Sequence, residues 1–197
     1  MILPYQSEQF PAIAGHLHAD GIAVVPTDTV YGVVALAASR PGVTKLYDLK
    51  SRVAKPGTLI AASVDQLVDL GVPRRYLTAV ESYWPNPISV ILPSTPELDY
   101  LDQGVKTLAV RIPADDEFRR LLELTGPLMS SSANLPGEPE STTIQEAQQY
   151  FGAKVDLYVD GGTRTGSPST VIRVVDDAVE VLRQGAVHIN EKGEITE

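Results

Sequence analysis

The sequence predicts an α/β domain built on a twisted mixed sheet flanked by helices. Apolar β-branched runs that suit buried strands alternate with segments whose apolar residues recur at helical spacing. Near the end of the chain, two strand-like runs flank Asp176-Asp177, which indicates an antiparallel hairpin. The 197 residues suffice for one sizeable core, so we predict a single domain over residues 1–190 and a loose C-terminal tail over 191–197.

In the first half of the chain, capping residues mark where helices begin and end. Ser7 precedes an apolar stripe at helical spacing, and Ser39 followed by Pro41 is typical of a helix start. Residues 63–66 have the capping-box pattern, and Gly71 ends the helix that they begin. The predicted elements are helix 7–19, strands 22–25 and 33–37, helix 39–50, strand 59–62, helices 63–70 and 74–83, and strand 88–92.

The second half continues the alternation of strands and helices. Leu108, Val110 and Ile112 share one face of a strand, so Arg111 points to the other face. Asp115 can cap the helix that follows. The predicted elements are polar loop 95–104, strand 107–112, helix 115–124, short strand 127–129, loop 135–141, a helix capped by Thr142 or Thr143 and ending at 151, strand 155–159, small-residue loop 160–170, and hairpin strands 171–175 and 178–182.

Composition excludes several classes of function. The chain has no cysteine, so we expect no disulfide, thiolate metal site or cysteine nucleophile. Neither a leader pattern nor an apolar run of membrane-spanning length occurs, and we expect a cytoplasmic protein that does not engage membranes. The net charge of −9 disfavours broad binding to nucleic acid. The three histidines lack the spacing of metal ligands, and the P-loop and dinucleotide glycine patterns are absent.

Groups that can bind a ligand cluster in the predicted turns. Residues 26–32 form a hydroxyl-rich turn between two strands, residues 130–134 are a second hydroxyl cluster, and residues 160–170 are a loop of small residues. The cations at element ends are Lys50, Arg52, Arg111 and Arg183. Together these groups indicate a pocket for phosphate and carboxylate. The alternative is structural: turn residues that cap their own backbone, cations that relieve a helix dipole, and a solvated strand arginine at 111.

Seven short motifs, in order over roughly residues 20–186, resemble the YrdC-like threonylcarbamoyl-AMP synthase family, in its short, single-domain type. The motifs are Pro26-Thr27-Asp28-Thr29-Val30-Tyr31-Gly32, Lys50-Ser51-Arg52, Trp84-Pro85-Asn86-Pro87, Val110-Arg111-Ile112-Pro113, Ser132-Ala133-Asn134, Ser169-Thr170-Val171 and Leu182-Arg183-Gln184-Gly185.

The resemblance implies a fold with a concave, positively charged cavity. It implies an enzyme, a nucleotidyltransferase that joins L-threonine, bicarbonate and ATP into threonylcarbamoyl-AMP and releases pyrophosphate, with Mg²⁺ accompanying ATP. The product feeds the threonylcarbamoyl modification of adenosine 37 in tRNA, so tRNA is an indirect partner through a downstream transferase complex. Either a monomer or a homodimer is compatible with this reading.

The resemblance also implies roles for individual residues. Lys50 and Arg52 are the implied catalytic residues. The implied L-threonine site is formed by Thr29, Tyr31, Arg111, Ser130 and Ser169, with Arg111 facing the substrate carboxylate. The implied ATP site is formed by Lys50, Arg52, Thr107, Ser132, Asn134 and Arg183.

Three positions depart from the family pattern, and two other functions stay open. Val53 stands where proline is common, Asn86 where glycine is usual, and Ala61 or Ala62 where longer members carry a histidine. One alternative is a paralogue with a different activity, either a carbamoyl-adenylate enzyme of the hydrogenase-maturation type or a divergent member that uses another amine. The other is a non-catalytic module that binds RNA or nucleotide.

Overall fold

The structure is a computed structural model that describes residues 1–51, 54–175 and 178–196. The helices are α1 (Phe10–His18), α2 (Arg40–Leu49), α3 (Val64–Leu70), α4 (Arg74–Thr78), α5 (Asp99–Asp102), α6 (Asp116–Thr125) and α7 (Ile144–Phe151). The strands are β1 (Ile2–Pro4), β2 (Ile22–Pro26), β3 (Tyr31–Leu36), β4 (Thr58–Ile60), β5 (Ile88–Pro93), β6 (Thr107–Arg111), β7 (Leu128–Ser132), β8 (Leu157–Asp160), β9 (Thr170–Val175), β10 (Ala178–Arg183), β11 (His188–Ile189) and β12 (Ile195–Thr196).

Within the described ranges, ten strands form one mixed sheet in the order β1-β8-β2-β3-β7-β4-β6-β5-β9-β10. The pairs β1/β8, β2/β8, β4/β6 and β5/β9 are parallel, and the other neighbours are antiparallel. The predicted fold class, a twisted mixed sheet flanked by helices, is therefore confirmed.

The central strands β2 and β3 are buried along their full length, which explains their continuous apolar sequences. Along β3, Val33 and Ala35 join one core cluster, whereas Val34 and Leu36 join the other. Helices α2 and α7 cover the first face, and α1 and α6 cover the second. The central strands are thus fixed from both sides, and the turns at their ends are held on a rigid base.

Four predicted helix caps are present as hydrogen bonds. The side-chain oxygens of Ser39, Ser63, Asp115 and Thr143 each accept a bond from the backbone N–H three residues further on. Gly71 ends α3 in the left-handed region, at a φ of 114° that suits glycine. Ser7 makes no side-chain cap, because residues 7–9 form a 3₁₀ turn before α1 begins at Phe10.

Several local predictions need correction. The predicted loop 95–104 contains a 3₁₀ turn at Pro96–Leu98 and the short helix α5, and α4 ends at Thr78, before a 3₁₀ turn at Glu81–Tyr83. β7 continues through Ser132, so its serines lie on a strand instead of in a loop. The end of the chain is not loose in the described residues, since β12 pairs with β11.

Candidate functional site

A cavity of about 240 Å³ opens where the hydroxyl-rich turn between β2 and β3 meets the ends of β6, β7 and β10. Its polar lining comes from widely separated parts of the chain. The lining residues that carry polar side chains are Thr27, Thr29, Tyr31, Thr58, Arg111, Ser130, Ser131, Ser132, Glu140, Ser169 and Arg183. The predicted convergence of hydroxyls and arginines therefore occurs at one site.

The turn between β2 and β3 is held by the side chain of its first threonine. Thr27 Oγ1 donates to the carbonyl of Val30 at 2.7 Å and accepts from the backbone N–H of Thr29 at 3.2 Å. The Thr29 hydroxyl lies 3.1 Å from that of Thr27. Local capping therefore explains Thr27, while Thr29 is left as a hydroxyl that faces the cavity.

Arg111 is buried and not solvated, contrary to the structural reading of its strand position. Its Nη2 lies 2.9 Å from Oδ1 of Asp28, and the two side chains are only 5% and 4% exposed. Burial raises the pKa of the Asp28 carboxyl above its ordinary value, and the Arg111 guanidinium partly offsets that rise. Burial likewise lowers the pKa of Arg111. Asp28 thus fixes one cavity arginine from behind, a role that sequence reasoning did not assign.

Arg183 joins the end of β10 to the loop before β9. Its Nη2 donates to the carbonyl oxygen of Ser169 at 2.7 Å and to the Ser169 hydroxyl at 3.2 Å, and its Nε donates to the same carbonyl at 3.1 Å. The Ser169 hydroxyl also lies 2.9 Å from that of Ser89. One guanidinium therefore lines the cavity and holds a cavity serine in place.

Lys50 anchors the turn that follows β7. Its buried ammonium donates to the carbonyl of Ser132 at 2.8 Å, to Oδ1 of Asn134 at 3.0 Å and to the Asn134 carbonyl. The Ser132 hydroxyl donates to the same Oδ1 at 2.8 Å. Ser132 lines the cavity, whereas Lys50 and Asn134 lie behind it and set the shape of the turn.

Tyr31 uses its hydroxyl to hold the small-residue loop 160–170. The hydroxyl donates to the carbonyl of Gly162 at 2.7 Å and accepts from the N–H of Gly161 at 2.9 Å. Burial raises the pKa of this phenol. The Tyr31 ring lines the cavity, but its hydroxyl is committed to the protein backbone.

The remaining predicted residues differ in their distance from the cavity. Ser130 lines it, and its Oγ lies so close to the backbone at Gly32 that a Cβ there would come within 2.8 Å. Thr107 begins β6 and pairs with Pro93, roughly 13 Å along the strand from Arg111 at 3.3 Å per residue. Arg52 and Val53 lie outside the described residues.

Ile60 and Glu140 are among the lining residues that were not singled out from the sequence. Ile60 lines the cavity, whereas Ala61 is in the core and Ala62 lies outside the lining. Glu140 sits in a loop rich in proline and glycine, where nothing in the sequence distinguishes it from its exposed neighbour Glu138. The sequence pattern identified Ile60 only as an apolar strand residue. Such a pattern does not show which apolar residues of a strand line a cavity.

The chain is similar to known proteins in sequence and in fold. The Sua5_yciO_yrdC family model, described as "Telomere recombination", matches residues 16–185. A threonylcarbamoyl-AMP synthase of Pyrococcus abyssi is 32% identical over 184 residues, which cover 90% of this chain and 54% of that protein. A threonylcarbamoyl-AMP synthase of Idiomarina loihiensis is 35% identical over 167 residues, covering 81% of this chain and 90% of that protein.

A solved structure of similar fold contains an amino acid. The crystal structure of P. abyssi Sua5 complexed with L-threonine has a TM-score of 0.84 and 30% sequence identity, covering 95% of this chain and 58% of that one. The chain spans about half the length of the first curated relatives that it matches, at 54% for both the P. abyssi and Bacillus subtilis proteins.

Proposed function

The chain belongs to the Sua5_yciO_yrdC family, and from that premise we propose that it is an L-threonylcarbamoyladenylate synthase. The proposed reaction consumes L-threonine, bicarbonate and ATP and yields threonylcarbamoyl-AMP, pyrophosphate and water. The observation that carries the proposal is the single cavity lined by Arg111, Arg183 and a set of serine and threonine hydroxyls. Such a lining suits two anionic substrates that must be held side by side.

L-threonine is proposed to bind at the Arg111 side of the cavity. The guanidinium suits a carboxylate, and Thr29, Ser130 and Ser169 bring hydroxyls to the same wall. Tyr31 shapes this half by holding the loop at Gly161 and Gly162. The crystal structure of P. abyssi Sua5, whose fold is similar, contains L-threonine and supports the choice of this amino acid as the proposed substrate.

ATP is proposed to bind on the side of Ser132 and Arg183. Arg183 faces the cavity, and Lys50 with Asn134 fixes the turn that presents the Ser132 hydroxyl. Arg52 remains a proposed catalytic residue, whereas Lys50, which the resemblance implied to be catalytic, is now proposed to position this turn, because its ammonium is bonded to Ser132 and Asn134. Thr107 stays a weaker ATP-site proposal because it begins β6 away from Arg111.

The proposed chemistry needs no protein nucleophile. The threonine amine attacks CO₂ derived from bicarbonate and loses a proton, which gives a carbamate. A carbamate oxygen then attacks the α-phosphorus of ATP as the bond to pyrophosphate breaks. The protein positions the two reactants and neutralises developing negative charge with its cationic side chains.

Mg²⁺ is the proposed companion of ATP. Among the described residues, no three His, Asp or Glu side chains come together to hold a metal ion. A magnesium ion bound by substrate phosphates, water and few protein groups fits such a lining.

None of the helices in the described part of the chain has the length and apolar character that crossing a bilayer requires.

Pyrophosphate release from ATP, Mg²⁺ and bicarbonate tests the function. We expect release by the wild-type protein to depend on L-threonine and to be lost in Lys50→Ala, with serine and glycine as poor substitutes. Release that requires a different amine would assign the chain to a divergent member of the family. Nucleotide or RNA binding without any amine-dependent release would support the binding-module alternative. For an active enzyme, the product would pass to a transferase that modifies tRNA.

A further inference from the structure

Glu140 places a carboxylate in the wall of a cavity that otherwise presents arginines and hydroxyls. Among the described lining residues it is the one acidic side chain. It is half-buried, and it forms no hydrogen bond or ion pair with another described residue. An unpaired carboxylate in a site for anionic substrates is unfavourable unless a cation lies between the charges.

The position of Glu140 is set by its neighbour. Ser141 is buried at 1% exposure, and both its backbone N–H and its hydroxyl donate to the carbonyl of Ala133. This attachment ties residue 140 to the turn that carries Ser132 and Asn134. Glu140 therefore belongs to the half of the cavity assigned above to ATP.

The positive charge nearest this turn is already engaged. The Lys50 ammonium donates to the carbonyls of Ser132 and Asn134 and to Oδ1 of Asn134, which occupy its hydrogen-bonding capacity. Arg183 also lines this side of the cavity, and a further cation would balance the Glu140 carboxylate against the polyphosphate. A hydrated Mg²⁺ ion held by substrate phosphates commonly uses one or two carboxylates from the protein.

We propose that Glu140 binds the hydrated Mg²⁺ ion that accompanies ATP. This inference rests on the proposed function, because it requires ATP in the cavity. Glu140 then favours MgATP over metal-free ATP, since its charge attracts the ion and repels bare phosphates. Glu140 would therefore make the cavity selective for the magnesium complex of ATP.

Calorimetric titration with ATP, either in excess Mg²⁺ or in excess chelator, measures this preference directly. For the wild-type protein we expect Mg²⁺ to strengthen ATP binding. In Glu140→Gln we expect the ratio of the ATP affinity in Mg²⁺ to the ATP affinity in chelator to fall by about tenfold. Metal-free ATP should bind at least as tightly as it does to the wild-type protein. Glu138→Gln is the matched control, because its exposed side chain lies in the same loop outside the cavity lining.

Water-proton relaxation with Mn²⁺ and ATP gives a second readout that does not require turnover. We expect Glu140→Gln to lose part of the relaxation enhancement of the ternary complex, and Glu138→Gln to keep it. If Glu140→Gln weakens ATP binding equally with and without Mg²⁺ and also weakens adenosine binding, the carboxylate binds ribose hydroxyls and the proposal is wrong. If Glu140→Gln behaves like Glu138→Gln, the proposal is also wrong, although the proposed function stands. Failure of the wild-type protein to bind ATP under either condition would overturn the proposed function as well.

Discussion

Asp28 and Arg111 form a buried ion pair in which Arg111 lines the cavity and Asp28 lies behind it. Oδ1 of Asp28 and Nη2 of Arg111 are 2.9 Å apart, with side chains 4% and 5% exposed. Removing one partner of a buried pair typically destabilises a protein by about 3–5 kcal/mol, because the other charge is left uncompensated. The same guanidinium therefore contributes to stability and lines the cavity in which L-threonine is proposed to bind.

Arg111→Met should lower the free energy of unfolding by about 3 kcal/mol at pH 7, and by less at pH 5. Burial raises the pKa of Asp28, and losing Arg111 raises it further. A carboxyl whose folded pKa lies above its unfolded pKa of about 3.9 loses stabilising free energy as pH rises through the folded value. Urea unfolding at both pH values measures the difference. The double variant Asp28→Asn/Arg111→Met should recover part of the loss, and an equal cost at both pH values would contradict the prediction.

Arg183→Lys should weaken the binding of both proposed substrates. Its guanidinium donates three bonds to Ser169, and lysine cannot reproduce that planar geometry. We expect the dissociation constants of threonine and ATP each to rise by about tenfold, the equivalent of one lost hydrogen bond to a charged group, as measured by calorimetry. Arg173→Lys is the control, since its pair with Glu180 on the same hairpin is about half exposed. A rise in the dissociation constant of ATP alone would show that the position of Ser169 does not depend on Arg183.

Tyr31→Phe should loosen the loop at Gly161 and Gly162. The variant leaves the Gly161 N–H without its acceptor, which costs about 1–2 kcal/mol of unfolding free energy. Hydrogen exchange followed by mass spectrometry should show faster exchange in residues 160–166. Tyr150→Phe removes a hydroxyl bonded to Pro139 at an exposed site, and it should change stability by no more than about 0.5 kcal/mol. Unchanged exchange in Tyr31→Phe would mean that the loop is held by other contacts.

Gly57→Ala should distort the cavity floor. A Cβ at residue 57 would lie 2.3 Å from the Ser130 carbonyl oxygen and 2.9 Å from Sδ of Met129, so β7 must shift. We expect a loss of about 2 kcal/mol, as is typical of overpacking. Gly15→Ala, on an open face of α1 with nothing within 4 Å, should instead stabilise the protein by up to about 1 kcal/mol. Thermal and urea unfolding of both variants compare the two effects, and equal outcomes would show that the close approach at Gly57 is relieved without cost.

The elements that the sequence predicted well are those whose signals are local. The caps at Ser39, Ser63, Asp115 and Thr143 act within three residues, so they are visible without knowing the fold. β1 was missed because its three residues pair with a strand that lies more than 150 positions later. A pairing of that separation leaves no periodic pattern in so short a segment.

The sequence indicated which residue types meet at the cavity, but it did not show which residues lie behind them. Hydroxyls and arginines in turns indicated an anion pocket, and Thr29, Ser130, Ser169 and Arg183 do meet there. Alternation placed Arg111 on the opposite face from its apolar neighbours, but it could not show that Asp28 covers that face. Tertiary packing decides whether such an arginine is solvated or buried.

The strand order has a consequence for how the protein is made. β2 and β3 pair with each other but lie between β8 and β7, so their outer partners are synthesised much later. The cavity draws its wall from residue 27 through residue 183. A nascent chain therefore lacks part of the cavity wall until β10 has left the ribosome, and we expect the proposed substrates to bind only after that point. Long-range pairing of this kind is slow to form, and substrate binding can stabilise only the finished domain.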